Sequence, residues 1–265
     1  MPGRTLATDE VLTLLQDVAA ELITPRFRAL AKHHISEKTP GSLVTIADHE
    51  AEVAITQALT AAYPEAVVLG EEAYEADPSV MDRYSQAEHA FTVDPVDGTR
   101  NFVHGSPDHA VMVAETRGAE IIRAWIWQPE HRLAWVAERG SGTWCNGERV
   151  QTQPVQDGAV ANGATSLRSL RKRGLGGLPL HASWFCCGVD YPRLIEGKVD
   201  FLLYKHSYPW DHAPGALLVA EAGGRVGQFD GADYDPRSTR PGIVVASDPA
   251  TFDTVTGLLP SDLLG

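Results

Sequence analysis

The sequence predicts a layered α/β fold for this chain of 265 residues. Segments with the spacing of an amphipathic helix alternate along the chain with short apolar runs that are typical of buried strands. Hydrophobic residues make up 43% of the chain and charged residues 22%, which are ordinary values for a globular protein with a substantial core. Because Pro, Gly, Asn and small residues concentrate around 153–163, we expect two halves, 1–152 and 153–265.

The first part of the chain predicts two helices joined by a loop. An apolar stripe over 11–22 predicts the first helix, with Thr8 as its N-cap. The stretch "SEKTPGS" is expected to be a loop, and a second helix is expected to begin near Thr45 and to stop before Pro64. Thr45 and Asp48 have the spacing of a capping box, in which both side chains bind free amides of the first turn.

The middle of the chain is predicted to be mostly sheet. "AVVLG" and "HAFTV" are expected to be short buried strands, the first ending in Gly70-Glu71-Glu72 and the second delivering Asp94 at its carboxyl end. Taken alone, Glu71-Glu72 is typical of a solvated loop. The β-rich runs "AVMVAET", "EIIRAWIWQ" and "RLAWVAE" follow, and the Asn-Gly pair in "TWCNGERV" predicts a hairpin turn.

The second half predicts a further alternation of elements. "SLRSLRKRGLGG" is expected to be a basic surface helix end and loop, followed by a helix over "YPRLIEGKV" and a strand over "DFLLYK". "DHAPGALLVAEAGG" predicts a long helix with Asp211 as its N-cap and Gly223-Gly224 as its end. "GIVVAS" is expected to be a last buried strand, and Ser247-Asp248-Pro249 opens a final helix.

Charge and composition restrict the partners and the location that we expect. A formal charge of −13 and a pI near 5.1 argue against nucleic acid or an anionic membrane as a partner. Cys145, Cys186 and Cys187 lack paired metal-ligand spacing and are expected to be reduced, buried thiols. The first residues lack the features of a signal peptide, and no apolar run is long enough to cross a membrane. We therefore expect a cytoplasmic protein.

The segment "FTVDPVDGTRNF" carries the strongest chemical signal. Asp94 and Asp97 flank a proline at the mouth of a strand, and two close carboxylates repel each other unless a cation lies between them. Carboxylate and carbonyl oxygens are the ligands that Mg²⁺ prefers. Gly98 lets backbone amides approach a ligand, and a helix starting at Thr99 would add a phosphate-binding N-terminus. The pattern indicates metal-assisted phosphoryl transfer.

Together, "DPVDGTRNF" and "WDHAPGALLVAEAGG" resemble the paired signature of the inositol monophosphatase family of metal-dependent, lithium-sensitive phosphatases. "SLVTIAD", "GEE" and "WCNG" occur in the order and spacing of that family, so the resemblance extends from about Thr45 to Gly224. It implies an αβαβα sandwich of the inositol monophosphatase and fructose-1,6-bisphosphatase type, usually a homodimer. It also implies a phosphomonoesterase that uses two or three Mg²⁺ ions, with Mn²⁺ as an alternative.

The resemblance implies roles for individual residues. The ion ligands would be Glu71, Asp94, the Val96 carbonyl, Asp97 and Asp211. Thr99 and Asp48 resemble the pair that positions and deprotonates the attacking water, and Glu71, which binds two of the ions, acts beside them. The amides of Gly98 and Thr99 would bind the phosphate group.

The substrate stays open at the level of sequence. Tyr204 stands where inositol-hydrolysing relatives place a glutamate, so we expect it to contact the substrate as a stacking surface. A small soluble inositol phosphate-like ester is the first expectation. 3′-Phosphoadenosine 5′-phosphate, histidinol phosphate and fructose bisphosphate are alternatives within the same class. The basic residues of 168–173 either attract a polyanionic substrate or form a plain exposed face. A non-catalytic binding module and a nuclease are the competing classes.

Overall fold

The computed structural model describes residues 5–39, 42–260 and 263, with the side chains of residues 38, 39 and 42 left out of the description. The helices are α1 (Thr8–Val18), α2 (Ile46–Ala62), α3 (Glu71–Ala76), α4 (Val80–Gln86), α5 (Thr99–Val103), α6 (Arg168–Arg173), α7 (Cys187–Ile195), α8 (Pro209–Glu221) and α9 (Pro249–Leu258). The strands in the first half are β1 (Ile35–Thr39), β2 (Ser42–Thr45), β3 (Val67–Gly70), β4 (His89–Asp97), β5 (Ala110–Arg117), β6 (Glu120–Gln128), β7 (Leu133–Glu138), β8 (Gly142–Cys145) and β9 (Glu148–Val150). Those in the second half are β10 (Gly163–Thr165), β11 (Leu180–Ala182), β12 (Phe201–Tyr204), β13 (Arg225–Gln228) and β14 (Ile243–Ala246).

Two mixed sheets organise the molecule. The first has seven strands in the order β3-β4-β5-β6-β7-β8-β9, with β3 and β4 parallel and the remaining pairs antiparallel. The second has five strands in the order β11-β10-β12-β14-β13, with β11, β10 and β12 parallel. β1 and β2 form a separate antiparallel pair. The seven-stranded sheet lies within residues 67–150 and the five-stranded sheet within 163–246, and the division at 152/153 stays a prediction.

Side-chain alternation along the strands separates three apolar layers. Val111 and Val113 of β5 face α1 and α2, whereas Met112 faces the other side of the sheet, where α7 and α8 pack. In the second sheet Leu202 faces α7 and α8, and Leu203 faces α9. The order is therefore helices, sheet, helices, sheet, helices, which is the predicted αβαβα sandwich.

Several local predictions are confirmed at the level of backbone geometry. Thr45 caps α2 and forms the predicted capping box with Asp48. Asn146 and Gly147 have φ values of 48° and 82° between β8 and β9, as a two-residue hairpin turn of type I′ requires. Asp248 caps α9 by accepting a hydrogen bond from the Thr251 amide at 2.9 Å. No helix in the described ranges is long and apolar enough to cross a membrane.

Other local predictions are wrong. Within "SEKTPGS" the backbone pairs as β1 and β2, and only Pro40 and Gly41 lie outside the described residues. The N-cap of α1 is Ala7, because Thr8 is already helical and donates its hydroxyl to Glu138 instead. The regular α1 stops at Val18 and continues as a π-helical turn over Ala19–Ile23.

Two helix starts in the site region also differ from expectation. α8 begins at Pro209, which suits the first helical position, so Asp211 is its third residue and not its N-cap. α7 begins at Cys187, earlier than "YPRLIEGKV" indicated. The pair Glu71-Glu72 opens α3, and Glu72 is buried, which excludes a solvated loop. The three cysteines are free thiols, but Cys145 and Cys187 are only partly buried.

Candidate metal centre

A β-bulge brings Asp94 and Asp97 to the same side of β4. Residues three apart on a regular strand point to opposite faces of the sheet. Here Asp94 pairs with Met112 and Asp97 with Ala110, so one extra residue is inserted on β4 between the two aspartates. Pro95 fits this position because a bulge tolerates a residue without an N–H group. The insertion restores a common direction, and both carboxyl groups are buried.

Asp211 completes a cluster of three carboxylates with this pair. One oxygen from each of Asp94, Asp97 and Asp211 lies within 4.8 Å of the other two. Asp211 comes from the first turn of α8, the helix between the two sheets, and it is partly exposed. The fold therefore brings together three predicted ligands, although Asp94 and Asp211 are 117 residues apart in the sequence.

Asp48 and Thr99 lie beside the cluster and are hydrogen-bonded to each other. Thr99 opens α5, and its hydroxyl lies 3.1 Å from Oδ1 of Asp48 and 3.0 Å from the Val96 carbonyl oxygen. The other carboxyl oxygen of Asp48 accepts from the amide and the hydroxyl of Thr45, at 3.0 and 2.5 Å. The capping box thus fixes Asp48 so that one oxygen faces Thr99. Burial raises the pKa of Asp48 to about 7.

Glu71 reaches the same region from the first residue of α3. Its charge raises the pKa values of Asp48, Asp94 and Asp97, which places it within electrostatic reach of all three. Asp48, Glu71 and Asp211 each lie in the first turn of a helix. A helix N-terminus favours negative charge, so the fold offsets part of the repulsion among these side chains.

The remaining repulsion indicates that the cluster is built for cations. Burial raises the pKa of Asp94 well above its ordinary value, and neighbouring carboxylates raise it further: Glu71, Asp97, Asp211 and Asp48. Burial likewise raises the pKa of Asp97 to about 6. Closely spaced carboxylate oxygens with a nearby backbone carbonyl form the hard donor set that Mg²⁺ prefers. The residues present therefore fit divalent metal ions.

The sequence reasoning missed the groups that hold Asp97. Its Oδ2 atom accepts hydrogen bonds from the Gly188 amide at 2.5 Å and from the Cys186 thiol at 3.0 Å. Both donors belong to "WFCCGVD", a segment for which the sequence predicts free thiols but no contact with Asp97. The start of α7 thus orients one oxygen of Asp97. A cysteine next to a helix start carries no sequence signal for this role.

A cavity of about 270 Å³ opens beside the carboxylates and is lined by Asp97, Asp211 and Tyr204. Tyr204 is only 6% exposed, stacks on Tyr191 with ring centroids 5.8 Å apart, and donates its hydroxyl to Asp190 at 3.1 Å. Asp190, which the sequence analysis did not single out, also accepts from the Trp184 amide at 2.7 Å. The polar end of Tyr204 is therefore occupied by a protein partner.

The wall of this cavity continues with residues that follow the parallel strands. Ser183, Ser166 and Lys205 come directly after β11, β10 and β12, whose carboxyl ends meet at one edge of the sheet. The basic residues 168–173 form α6, which starts just beyond Ser166. A larger cavity of about 600 Å³ lies between α1 and strands β7 and β8. Two of the metal-ligand candidates, Asp97 and Asp211, line the smaller cavity and none lines the larger one, so we place the candidate site at the smaller one.

Comparisons with known proteins agree with the fold and identify the family. The family model described as "Inositol monophosphatase family" matches residues 7–260. The chain is 31% identical over 221 residues to an inositol-1-monophosphatase of Rhizobium meliloti, covering 78% of this chain and 79% of the relative. It is 30% identical over 228 residues to the Nus factor SuhB of Pseudomonas aeruginosa, covering 81% and 82%.

A solved structure shares the architecture. An IMPase/NADP phosphatase complexed with Mg²⁺ and phosphate superposes with a TM-score of 0.78 over 94% of this chain and 92% of that chain, at 21% identity. That likeness concerns the fold, whereas the family model and the curated relatives concern the sequence itself. The chain therefore belongs to the inositol monophosphatase family of phosphoric monoester hydrolases.

Proposed function

We propose that this chain is a Mg²⁺-dependent phosphomonoesterase that hydrolyses a small soluble phosphate ester with an activated water. The observation that supports this most directly is the cluster of Asp94, Asp97 and Asp211, in which one oxygen of each carboxylate lies within 4.8 Å of the other two. Glu71 and the Val96 carbonyl would complete the ligand set for two or three ions. When bound, such ions lower the pKa of a coordinated water and offset the charge of the phosphate group.

The residues of the chain position the water and accept its proton. The single hydroxyl proton of Thr99 points to Asp48 or to the Val96 carbonyl, so the oxygen of Thr99 can accept a hydrogen bond from a water. Asp48 is fixed by Thr45 and would receive the proton through Thr99. The bond between phosphorus and the ester oxygen breaks as the water attacks, and the departing oxygen takes up a proton from solvent, so the products are inorganic phosphate and the alcohol.

The phosphate group would lie against the start of α5. Gly98 has a φ of 79° and caps this helix, so the amides of Gly98 and Thr99 can approach a ligand closely. The alcohol would extend into the cavity lined by Tyr204. Because the Tyr204 hydroxyl and Asp190 bind each other, neither is offered freely to the hydroxyls of a cyclitol. This arrangement supports an ester with an aromatic or otherwise planar alcohol over inositol phosphate.

Phosphate release from a panel of esters tests the proposal. We expect the wild type to release phosphate with Mg²⁺ from one of inositol phosphate, 3′-phosphoadenosine 5′-phosphate, histidinol phosphate or fructose bisphosphate, and Li⁺ to inhibit the release. Asp94→Asn is expected to lower the rate by about 100-fold or more, because it removes charge from the ion ligands. Asp157→Asn, in an exposed loop, is the matched control and should retain the wild-type rate.

The competing classes make different predictions in this assay. A non-catalytic binding module would release no phosphate from any ester, and some relatives are named as Nus factors rather than phosphatases. All four candidate ligand carboxylates are nevertheless present in this chain. A nuclease would release product from nucleic acid, which the net charge of −13 disfavours.

The expected assembly and location belong to the same proposal. We infer a homodimer in the cytoplasm, from the family resemblance and from the three free thiols, which are typical of a reducing compartment. Light scattering coupled to gel filtration would measure the assembly, since the chain has a mass of 28.6 kDa. A mass near that of one chain would overturn the dimer without affecting the proposed reaction.

A further inference from the structure

We propose that Glu52 is a positioning residue that holds the metal ligand Glu71 in place from a neighbouring helix. The inference rests on the proposed function, because it assigns Glu71 to the metal centre. Glu52 lies on α2 and is only 6% exposed. No sequence motif assigns it a role, and it does not belong to the carboxylate cluster around Asp94.

The carboxyl group of Glu52 caps α3 from outside that helix. One of its oxygens accepts from the Glu72 amide and the other from the Ala73 amide, both at 2.8 Å. These are the second and third residues of α3, the amides that an N-cap side chain normally binds. The N-cap of α3 is Gly70, which has no side chain to do so. Glu52 thus supplies the missing cap, and Glu71 is the residue immediately before its two partners.

The absence of a side chain at Gly70 is a steric requirement of this arrangement. A Cβ atom at position 70 would lie 2.3 Å from Cδ of Glu52 and 2.4 and 2.6 Å from its oxygens. The backbone of Gly70 is extended, with φ −96° and ψ 155°, so other residues could adopt its conformation. The position is therefore limited by the space that Glu52 occupies and not by backbone geometry.

α2 consequently fixes two parts of the site at once. Asp48 and Glu52 are four residues apart and lie on the same face of this helix. Asp48 binds Thr99 directly, and Glu52 fixes the start of the helix that carries Glu71. Residues that orient a metal ligand through hydrogen bonds commonly change metal affinity 10- to 100-fold when they are replaced.

Moving the capping carboxylate from position 52 to position 70 tests the proposal. We expect Glu52→Ala to weaken Mg²⁺ binding by about tenfold in titration calorimetry, because Glu71 loses its fixed position. Gly70→Asp alone should also weaken binding, because its side chain collides with Glu52. In the double variant Glu52→Ala/Gly70→Asp, the space is free and the new aspartate can cap α3, so we expect much of the affinity to return.

Controls separate this inference from the proposed function. Glu50→Ala, on the same helix, removes a partly exposed ion pair with Arg26 and should leave Mg²⁺ affinity unchanged. If the wild-type chain binds no Mg²⁺, the proposed function fails. If the wild type binds Mg²⁺ and a folded Glu52→Ala variant binds it equally well, or if the double variant binds no better than either single variant, the role of Glu52 is overturned.

Discussion

At the scale of single residues, burial decides the chemical state of several side chains in this molecule. His109 is 1% exposed and lies between Phe27 and Phe102, with ring centroids about 5 Å from each. Its Nε2 atom has no hydrogen-bond partner among the described residues. Burial therefore lowers the pKa of His109 to about 4. The ring is neutral in the folded protein at pH values where an exposed histidine is protonated.

The lowered pKa of His109 predicts that this residue makes the folded protein less stable in acid. Between pH 6.5 and 4 the unfolded chain binds a proton at His109 that the folded chain does not, so this residue lowers the free energy of unfolding as pH falls through that window. We expect His109→Phe to remove about 2 kcal/mol of the loss between pH 7 and pH 5. Urea unfolding of both proteins at these two pH values measures it. Parallel pH profiles would contradict the prediction.

At the scale of secondary-structure elements, two glycines with left-handed backbone geometry distinguish an effect on stability from an effect on activity. Gly98 caps α5 with φ 79°, and Gly147 forms the β8–β9 turn with φ 82°. A Cβ atom at Gly98 would lie 3.0 Å from the Asp108 carbonyl oxygen, whereas one at Gly147 would meet no atom within 4 Å. The two positions share a backbone conformation and differ in their surroundings.

These glycines give a matched pair of variants. We expect Gly147→Ala to lower the free energy of unfolding by about 1–2 kcal/mol, the cost of a left-handed residue, and to leave phosphate release unchanged. Gly98→Ala is expected to have at least this cost and also to reduce phosphate release, because the start of α5 must move. Denaturant unfolding and the ester assay together measure both effects. Equal activity of the two variants would exclude a role for the α5 start in phosphate binding.

The sequence correctly predicted those structural features that depend on only a few neighbouring residues. The Thr45–Asp48 box and the Asn146-Gly147 turn were predicted because a side chain or a backbone conformation determines each. The pairing of β1 with β2 was missed because "SEKTPGS" is polar, so no apolar alternation marks it. The bulge between Asp94 and Asp97 and the cap that Glu52 provides depend on a second strand or helix, and no local pattern encodes them.

At the scale of the whole molecule, the carboxylate cluster should reduce stability in the absence of metal. The pKa of Asp97 is raised to about 6 and that of Asp48 to about 7. The folded chain then binds more protons than the unfolded chain above the ordinary pKa near 4. This contribution to stability is present at low pH and is lost as pH rises towards 7.

Metal binding is expected to reverse this loss. At a hundred times the dissociation constant, Mg²⁺ should add about 2.7 kcal/mol to the free energy of unfolding and raise Tm by about 5–10 °C. We expect Asp94→Asn to raise the Tm of the metal-free chain at pH 7, because it removes one of the repelling charges, and to reduce the response to Mg²⁺. Differential scanning calorimetry measures both. A metal-free variant that melts below the wild type would contradict the electrostatic account.

The αβαβα order itself was predicted from the resemblance, and the alternation of helices and strands supported it. The distances between the candidate metal ligands were not predictable from the sequence. Asp94 and Asp211 come from β4 and α8, which lie in adjacent layers, and the distance between them depends on how the layers pack. Composition and periodicity specify which side of an element is apolar, but not the depth at which two layers meet.

The position of α8 between the two sheets has a consequence for how this enzyme can diversify. From Trp210 to Val219, all residues except Asp211 are buried, so almost every mutation there disturbs packing on one or both sides. Random libraries aimed at this helix would mostly return misfolded clones. Phe185, Lys205 and His206 line the cavity and are exposed, so we expect substitutions there to be tolerated without repacking the interior.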